Sequence, residues 1–133
     1  MKELFDFLNK NKFGNLATCE GNKPDTRPFE VAHVSNEGLL FYVSAGTELS
    51  KQLKINPNVC FCATDEKYDY IKVMGEISFS DRQEDKDKVL SNSQFAKKVY
   101  ESCGTDKMEV FYLPHGEYML HHHMDDNVKI ERF

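Results

Sequence analysis

Apolar and polar residues alternate along most of the chain, in short runs that are separated by turn-forming residues. Alternation with a period of two is typical of strands with one buried face, whereas a period near 3.6 indicates a helix. Residues 2–11 follow the helical period, with Leu4, Phe7 and Leu8 on one side. Further helices are predicted over residues 47–56 and from the charged stretch 81–88 to about residue 102. The predicted strands cover residues 14–19, 26–34, 39–43, 58–64, 69–79, 107–113, 117–123 and 127–132.

Turn residues join these strands as consecutive hairpins, as at Glu20-Gly21-Asn22 and Asn36-Glu37-Gly38. The connections are too short for the repeated crossover helices of a parallel sheet. The pattern therefore predicts a mainly β fold, an antiparallel barrel with short peripheral helices, formed by residues 1–133 as a single domain. Because a barrel of this size is filled by its own side chains, a ligand is expected on the rim, in a split between strands or at a subunit interface.

Composition narrows the classes of function. A hydrophobic fraction of 40%, with ten Phe and six Tyr, is typical of a folded protein. The net charge of −5 argues against general nucleic-acid binding, which needs a basic face. No stretch approaches the roughly 20 apolar residues of a membrane-spanning helix, and acidic residues interrupt the N-terminal apolar positions, unlike those of a signal peptide. We therefore expect a cytoplasmic protein without nucleic-acid or membrane partners.

Four cysteines and a run of three histidines are candidate metal ligands. Cys60 and Cys62 stand two residues apart in an apolar strand, so they share a face and are interpreted as small core residues with free thiols. On a strand, His121 and His123 would also share a face, but no CxxC or HExxH spacing accompanies them. We therefore predict no metal site, and a strand with one solvated face at the histidine run.

The segment SAGTELSKQLKINP, residues 44–57, contains a candidate ligand site. Thr47 is suited to cap the N-terminus of the predicted helix. Lys51 lies one turn into that helix, where a cation is unfavourable unless an anion is bound with it. Arg27 would reach the same helix end if the second and third strands pair as a hairpin. Together with the hydroxyls of Thr47 and Ser50, the two cations predict a bound phosphate group.

A wider set of short motifs follows one order along nearly the whole chain. They are Gly14-Asn15-Leu16-Ala17-Thr18, Arg27-Pro28-Phe29, Leu40-Phe41-Tyr42-Val43, Lys51, Asn56-Pro57-Asn58-Val59 and Val73-Met74-Gly75-Glu76. This ordered set resembles the pyridoxamine 5'-phosphate oxidase-like family of flavin-binding split barrels. The resemblance implies a six-stranded split β-barrel that assembles as a homodimer with FMN at the subunit interface.

The resemblance also implies contacts to FMN. Arg27 and Lys51 would bind the phosphate, the backbone of residues 28–31 would run past the isoalloxazine edge, and Tyr42 would lie in the family's contact pair. Ser50 stands where the oxidases tend to have Arg, and Tyr70 where they often have a Gln from the partner chain. Together with the chemistry of residues 44–57, the predicted set is Arg27, Pro28, Phe29, Glu30, Val31, Tyr42, Val43, Ser44, Thr47, Ser50, Lys51 and Tyr70.

Differences between this sequence and the oxidases proper narrow the function that the resemblance implies. Those enzymes are longer and end in a segment with a Trp and an Arg, whereas this sequence has no Trp, so pyridoxamine phosphate oxidation is not expected. The shorter members resemble flavin reductases, nitroimidazole-resistance proteins and stress-associated FMN binders. We expect an FMN-dependent oxidoreductase that passes electrons from a reduced nicotinamide to a small acceptor such as a nitroaromatic, a quinone or a flavin. A non-catalytic flavin-binding or stress-response module, and a haem or deazaflavin binder, are the alternatives.

Overall fold

Two antiparallel sheets and four helices form the fold. The computed structural model describes every residue from Met1 to Phe133. The helices are α1 (Lys2–Lys10), α2 (Glu48–Ile55), α3 (Gln83–Asn92) and α4 (Gln94–Glu101). The strands are β1 (Phe13–Glu20), β2 (Lys23–Glu30), β3 (His33–Ser35), β4 (Gly38–Ser44), β5 (Asn58–Thr64), β6 (Tyr70–Glu76), β7 (Ser78–Ser80), β8 (Met108–Leu113), β9 (Glu117–His121) and β10 (Ile130–Arg132).

One sheet has six strands in the order β10-β9-β6-β5-β1-β2, and the other has four in the order β3-β4-β8-β7. The prediction of a mainly β, antiparallel fold with a six-stranded sheet and short peripheral helices is confirmed. The predicted hairpins are also present, since β1 pairs with β2 in full register from Phe13↔Glu30 to Glu20↔Lys23. None of the four helices is long and apolar enough to cross a membrane.

Two of the predicted strands divide between the sheets. Residues 26–34 contribute to both β2 and β3, and residues 69–79 contribute to both β6 and β7. The chain changes sheets at Val31 and Ala32, which are fully buried in two different apolar clusters, and at Ile77. The prediction of continuous strands was wrong because an apolar run does not reveal where its backbone leaves one sheet for another.

The apolar residues form two clusters that share the four-stranded sheet. One lies between the two sheets and contains Leu39, Phe41 and Val43. The other lies between the four-stranded sheet and the helices α3 and α4, and it contains Leu40 and Tyr42. Successive side chains of a strand point to opposite faces, so β4 buries both of its faces. This explains why residues 39–43 form an unbroken apolar run rather than an alternating one.

The cysteine interpretation needs a correction. Along β5, the buried positions are Val59, Phe61 and Ala63, whereas Cys60 and Cys62 point to the opposite, outer face of the six-stranded sheet and are half-buried. The alternating pattern was read correctly, but the larger apolar residues occupy the inner face because they bury more surface there. All four cysteines are free thiols.

The end of the chain also differs from its prediction. Strand β9 stops at His121 instead of residue 123, and only Ile130–Arg132 of the predicted last strand forms β10. Asp69 explains the first difference, since it accepts a hydrogen bond of 2.7 Å from the backbone N–H of His123 and contacts His122 at 3.1 Å. These contacts hold the chain outside the ladder, so the three histidines do not alternate along a strand.

Candidate functional site

A cavity of about 320 Å³ lies where β1, β2, β4 and α4 meet. Its lining consists of Phe13, Pro28, Phe29, Glu30, Tyr42 and Phe95. Four of these, from Pro28 to Glu30 and Tyr42, belong to the set that the sequence predicted. The volume is at the lower end of the range for small-molecule sites, and a mostly apolar lining with few polar groups is typical of them.

Two exposed phenylalanines flank the cavity. Phe13 is 62% exposed and Phe95 is 56% exposed, although both are large apolar side chains. Aromatic side chains in such positions favour a planar ring that can lie against them and remove their surface from water. The sequence reasoning missed both residues. Phe13 directly precedes the Gly14 motif, but Phe95 gave no signal because its place depends on how α4 packs.

A polar group closes one side of the cavity. The Tyr42 hydroxyl donates a hydrogen bond of 3.0 Å to Oε1 of Glu30, and the Ser93 hydroxyl donates to the same oxygen. Ser93 also caps α4, because its Oγ accepts the Ala96 N–H at 2.9 Å. Burial, and the nearby charge of Glu30, raise the pKa of Tyr42 far above its ordinary value. Tyr42 is therefore held as a protonated donor, and α4 is fixed against the cavity.

Arg27 lies on β2 next to the cavity-lining residue Pro28, and its guanidinium is already hydrogen-bonded. Nη1 donates to the Leu16 carbonyl at 3.1 Å and to Thr18 Oγ1 at 2.8 Å. Nη2 contacts the Asp25 carboxylate at 2.9 Å and the Gln52 side-chain oxygen at 3.5 Å. The contact with Gln52 places Arg27 against α2, the helix that carries Lys51. The predicted route was a hairpin with the third strand, but the strand of Arg27, β2, pairs with β1 instead.

The start of α2 has the predicted cap. Thr47 Oγ1 accepts the Ser50 N–H at 3.2 Å, which confirms that Thr47 is the N-cap. Ser50 itself is 1% exposed and donates to Glu109, so its hydroxyl points into the protein. The ammonium of Lys51 lies 3.6 Å from the carboxylate of Glu48, and both side chains are exposed. Glu48 is thus the anion that compensates Lys51 at this end of the helix.

The other predicted site residues lie outside the cavity. Val31 and Val43 are buried in the cluster between the sheets, and the Ser44 hydroxyl is 2.7 Å from that of Tyr100. Tyr70 stacks on His121, with ring centroids 4.8 Å apart and an interplanar angle of 16°. Within one chain the structure therefore brings together the strand β2 residues and Tyr42, but not Tyr70.

The outer face of the six-stranded sheet carries a second, shallower depression of about 540 Å³. Ala17, Cys60 and Met74 are neighbours in register across β1, β5 and β6 and form an apolar row along it. Their side chains are only half-buried. A row of partly exposed apolar side chains on a sheet face is a candidate contact surface for another protein.

Comparison with known proteins identifies the family. A sequence profile of the pyridoxamine 5'-phosphate oxidase family matches residues 1–113. The chain belongs to this family. No curated protein has significant sequence similarity to this family member.

Solved structures share the fold of this pyridoxamine 5'-phosphate oxidase family member. A NimC/NimA family protein from Clostridium acetobutylicum superimposes with a TM-score of 0.83 at 24% identity, over 100% of this chain and 92% of its own. A protein related to general stress protein 26, from the same organism, gives a TM-score of 0.74 at 16% identity, over 99% and 92%. An FAD-binding protein from Mesorhizobium loti gives 0.59 at 15% identity, over 98% and 91%. At these identities the similarity shows the fold alone.

The family is a flavin-binding one, and the residues present fit a flavin. The cavity and its flanking phenylalanines suit the planar ring. The cations suit a phosphate. Lys51 and its partner Glu48 are both exposed, at 64% and 85%, whereas Arg27 is 21% exposed beside a 54% exposed Asp25. An exposed pair such as Lys51–Glu48 contributes only about 0–1 kcal/mol, so a dianion can replace it.

Proposed function

We propose that this protein binds FMN and passes electrons from a reduced nicotinamide to a small acceptor such as a nitroaromatic, a quinone or a flavin. The observation that carries the proposal is the cavity in which Pro28, Phe29, Glu30 and Tyr42 meet two exposed phenylalanines. Membership of a flavin-binding family supports the same ligand class.

The ring and the phosphate would be held by different parts of the chain. The ring system would lie in the cavity against Phe13 and Phe95, where burial of apolar surface favours binding. The phosphate would be bound by Arg27, with Lys51 as the second cation. Because Arg27 and Phe29 are two residues apart on β2, their side chains lie on the same face of the strand, which joins the two parts of the site.

The bound flavin supplies the redox chemistry, and the side chains position it and exclude water. Tyr42 holds a proton on its hydroxyl, since burial and Glu30 keep its pKa high. Phe13 and Phe95 line the cavity and are themselves exposed, so they would cover part of the bound ring. No histidine lines this cavity, so the Tyr42 hydroxyl and the Glu30 carboxylate are the polar side chains that would orient the ring.

We further propose a twofold homodimer that acts in the cytoplasm. The apolar row of Ala17, Cys60 and Met74 on the outer face of the six-stranded sheet supports a symmetric contact between two copies. Tyr70 lies on the same sheet and could then face the partner's flavin. A flavin between subunits would receive apolar walls from both chains.

The absorption spectrum of the purified protein, followed by anaerobic reduction, tests the proposal. We expect a flavin spectrum, a mononucleotide after release from the protein, and bleaching on addition of NADH or NADPH. Transfer of the electrons to a quinone or nitroaromatic should restore the spectrum. A haem or deazaflavin spectrum, or no chromophore together with no binding of added FMN, would overturn it.

A non-catalytic flavin-binding or stress-response module is the second candidate. It is favoured by the observation that Tyr42 and Glu30, the hydrogen-bonding side chains of the cavity, already bind each other. The structural similarity to a protein related to general stress protein 26 is consistent with it. Bound FMN that neither nicotinamide reduces would identify this module rather than the oxidoreductase.

A further inference from the structure

Glu30 is a buried carboxylate that the proposed phosphate contacts leave unused. The residue is 8% exposed and lines a cavity in which four of the six residues are apolar. Burying a carboxylate costs free energy unless its oxygens accept hydrogen bonds. Counting the hydrogen bonds that the two Glu30 oxygens accept therefore shows whether a donor is missing.

Only one of the two Glu30 oxygens is satisfied. Tyr42 and Ser93 both donate to Oε1, while Oε2 accepts no hydrogen bond within the chain. His121 Nδ1 is the one side-chain polar atom of the chain that is both sealed from solvent and unpartnered. Oε2 of Glu30 is therefore not sealed, and the open space beside Glu30 is the cavity that it lines.

The orientation of this oxygen is fixed. Tyr42 lies on β4 and Ser93 begins α4, so donors from two separate elements hold the other half of the carboxylate. A ligand donor that meets Oε2 would therefore find a pre-oriented, charged acceptor in an apolar surrounding. Hydrogen bonds to charged acceptors in such sites are stronger than neutral ones.

We propose that Glu30 determines ligand specificity in this cavity, by accepting a hydrogen bond at Oε2 from an N–H group on the edge of the bound ring. This inference rests on the proposed function, in which the ring is an isoalloxazine. The imide N3–H is the ring donor that such an acceptor would select. A ring that lacks this donor leaves the carboxylate oxygen buried and unpaired.

The test compares FMN with N3-methyl-FMN, which lacks the donor, by fluorescence titration. We expect the wild-type protein to bind FMN about tenfold to a hundredfold more tightly than the methylated ring. In Glu30→Gln the side-chain oxygen can still accept from Tyr42 and Ser93, which turns the amide N–H toward the cavity. The variant's affinity for FMN should then fall to about the wild-type affinity for N3-methyl-FMN. Its affinity for N3-methyl-FMN should equal that of the wild type.

The matched control is Glu66→Gln, which removes the same charge from an exposed turn outside the cavity and should keep the wild-type preference. If the methyl group acts only by its size, Glu30→Gln will also keep the preference, and the proposal is overturned. Equal binding of both ligands by the wild type overturns it without any variant. If neither ligand binds, the proposed function fails as well, so the two failures are distinguishable.

Discussion

Tyr112 donates a hydrogen bond of 2.7 Å to Oδ1 of Asp85, a carboxylate that has no exposure to solvent. Arg82 donates to both oxygens of the same group, at 2.9 and 3.0 Å. Asp85 lies in α3 and Tyr112 in β8, so this carboxylate attaches α3 to the four-stranded sheet, and with it α4, which follows directly. We call α3 and α4 the helix pair. The helix pair in turn carries Ser93 and Phe95 to the cavity.

Replacing Asp85 by Asn should destabilise the protein by about 2 to 4 kcal/mol, because an amide places a donor against the donors of Tyr112 and Arg82. Urea unfolding followed by circular dichroism measures the change. Asp87→Asn is the matched control, since Asp87 is an exposed residue of the same helix. Equal stability of the two variants would contradict the role assigned to Asp85.

The stability should also depend on pH through Asp85. Burial alone would raise the pKa of Asp85, but hydrogen bonds from Ser80, Tyr112 and Arg82 outweigh it and hold this pKa below the ordinary value of 3.8. The stabilisation is therefore complete above that value and is lost as the pH falls through the folded-state pKa. We expect the free energy of unfolding to fall on acidification below about pH 4. In Asp85→Asn this fall should be shallower than in Asp87→Asn.

The phosphate contacts are tested by Lys51→Ala and Arg27→Ala. Loss of a charge-assisted contact of this kind costs about 1.5 to 3 kcal/mol, so FMN should bind roughly tenfold to over a hundredfold more weakly. Riboflavin, which has no phosphate, should bind each variant almost as it binds the wild type. Fluorescence titration measures both ligands.

Arg27→Ala needs a stability control, because its guanidinium also binds the Leu16 carbonyl and Thr18. Arg27→Lys keeps the charge and loses the fork, so its FMN affinity should be intermediate. Lys67→Ala is the control: it removes a charge from the β5–β6 turn and should leave the affinities for FMN and riboflavin unchanged. Equal losses for FMN and riboflavin would mean that Lys51 and Arg27 do not bind the phosphate.

The exposed phenylalanines should contribute to binding of the flavin ring and not to binding of the phosphate. Phe95→Ala is expected to lower the affinities for FMN and riboflavin equally, by about fivefold, because it removes an apolar surface against which the ring would pack. The folded state should not lose stability, since this side chain is 56% exposed. Ile55→Ala, which truncates an apolar residue that is 83% exposed elsewhere, is the control. A selective effect on FMN would be inconsistent with a ring contact.

The proposed dimer depends on the outer face of the six-stranded sheet. Cys60→Glu would place a charge in the middle of the apolar row and should convert the dimer to a monomer. Light scattering at micromolar concentration gives the mass, and Ile55→Glu is the control for an added charge. A flavin-loaded wild-type protein with a monomeric mass would contradict the proposal.

The sequence was informative wherever a contact is local or periodic. The hairpin of β1 and β2 and the Thr47 cap were predictable, because alternation and capping depend on residues close in the chain. The cavity was partly predictable, since Pro28, Phe29 and Glu30 are consecutive. Phe95 was not, because its position follows from α4 packing on a strand far away in sequence.

Lys51 illustrates a second reason why the sequence predicts the site only in part. An unpaired cation near a helix N-terminus indicates an anion, but Glu48, one turn earlier, is an anion that the same helix supplies. The contact between Ser93 and Glu30 joins residues 63 positions apart, and nothing in the local pattern of either residue indicates it. Long-range polar contacts of this kind depend on the tertiary arrangement, which periodicity does not encode.

Strand β4, with both faces buried, has a consequence for how this protein can be redesigned. Its odd-numbered residues from Leu39 to Val43 pack only in the cluster between the sheets, and Leu40 and Tyr42 pack only against the helical side. A combinatorial library can therefore vary Leu40 together with Val89 and Ala96, which belong to the same cluster, while the barrel interior keeps its side chains. One five-residue stretch thus separates into two independently adjustable halves, one for the scaffold and one for the helices beside the cavity.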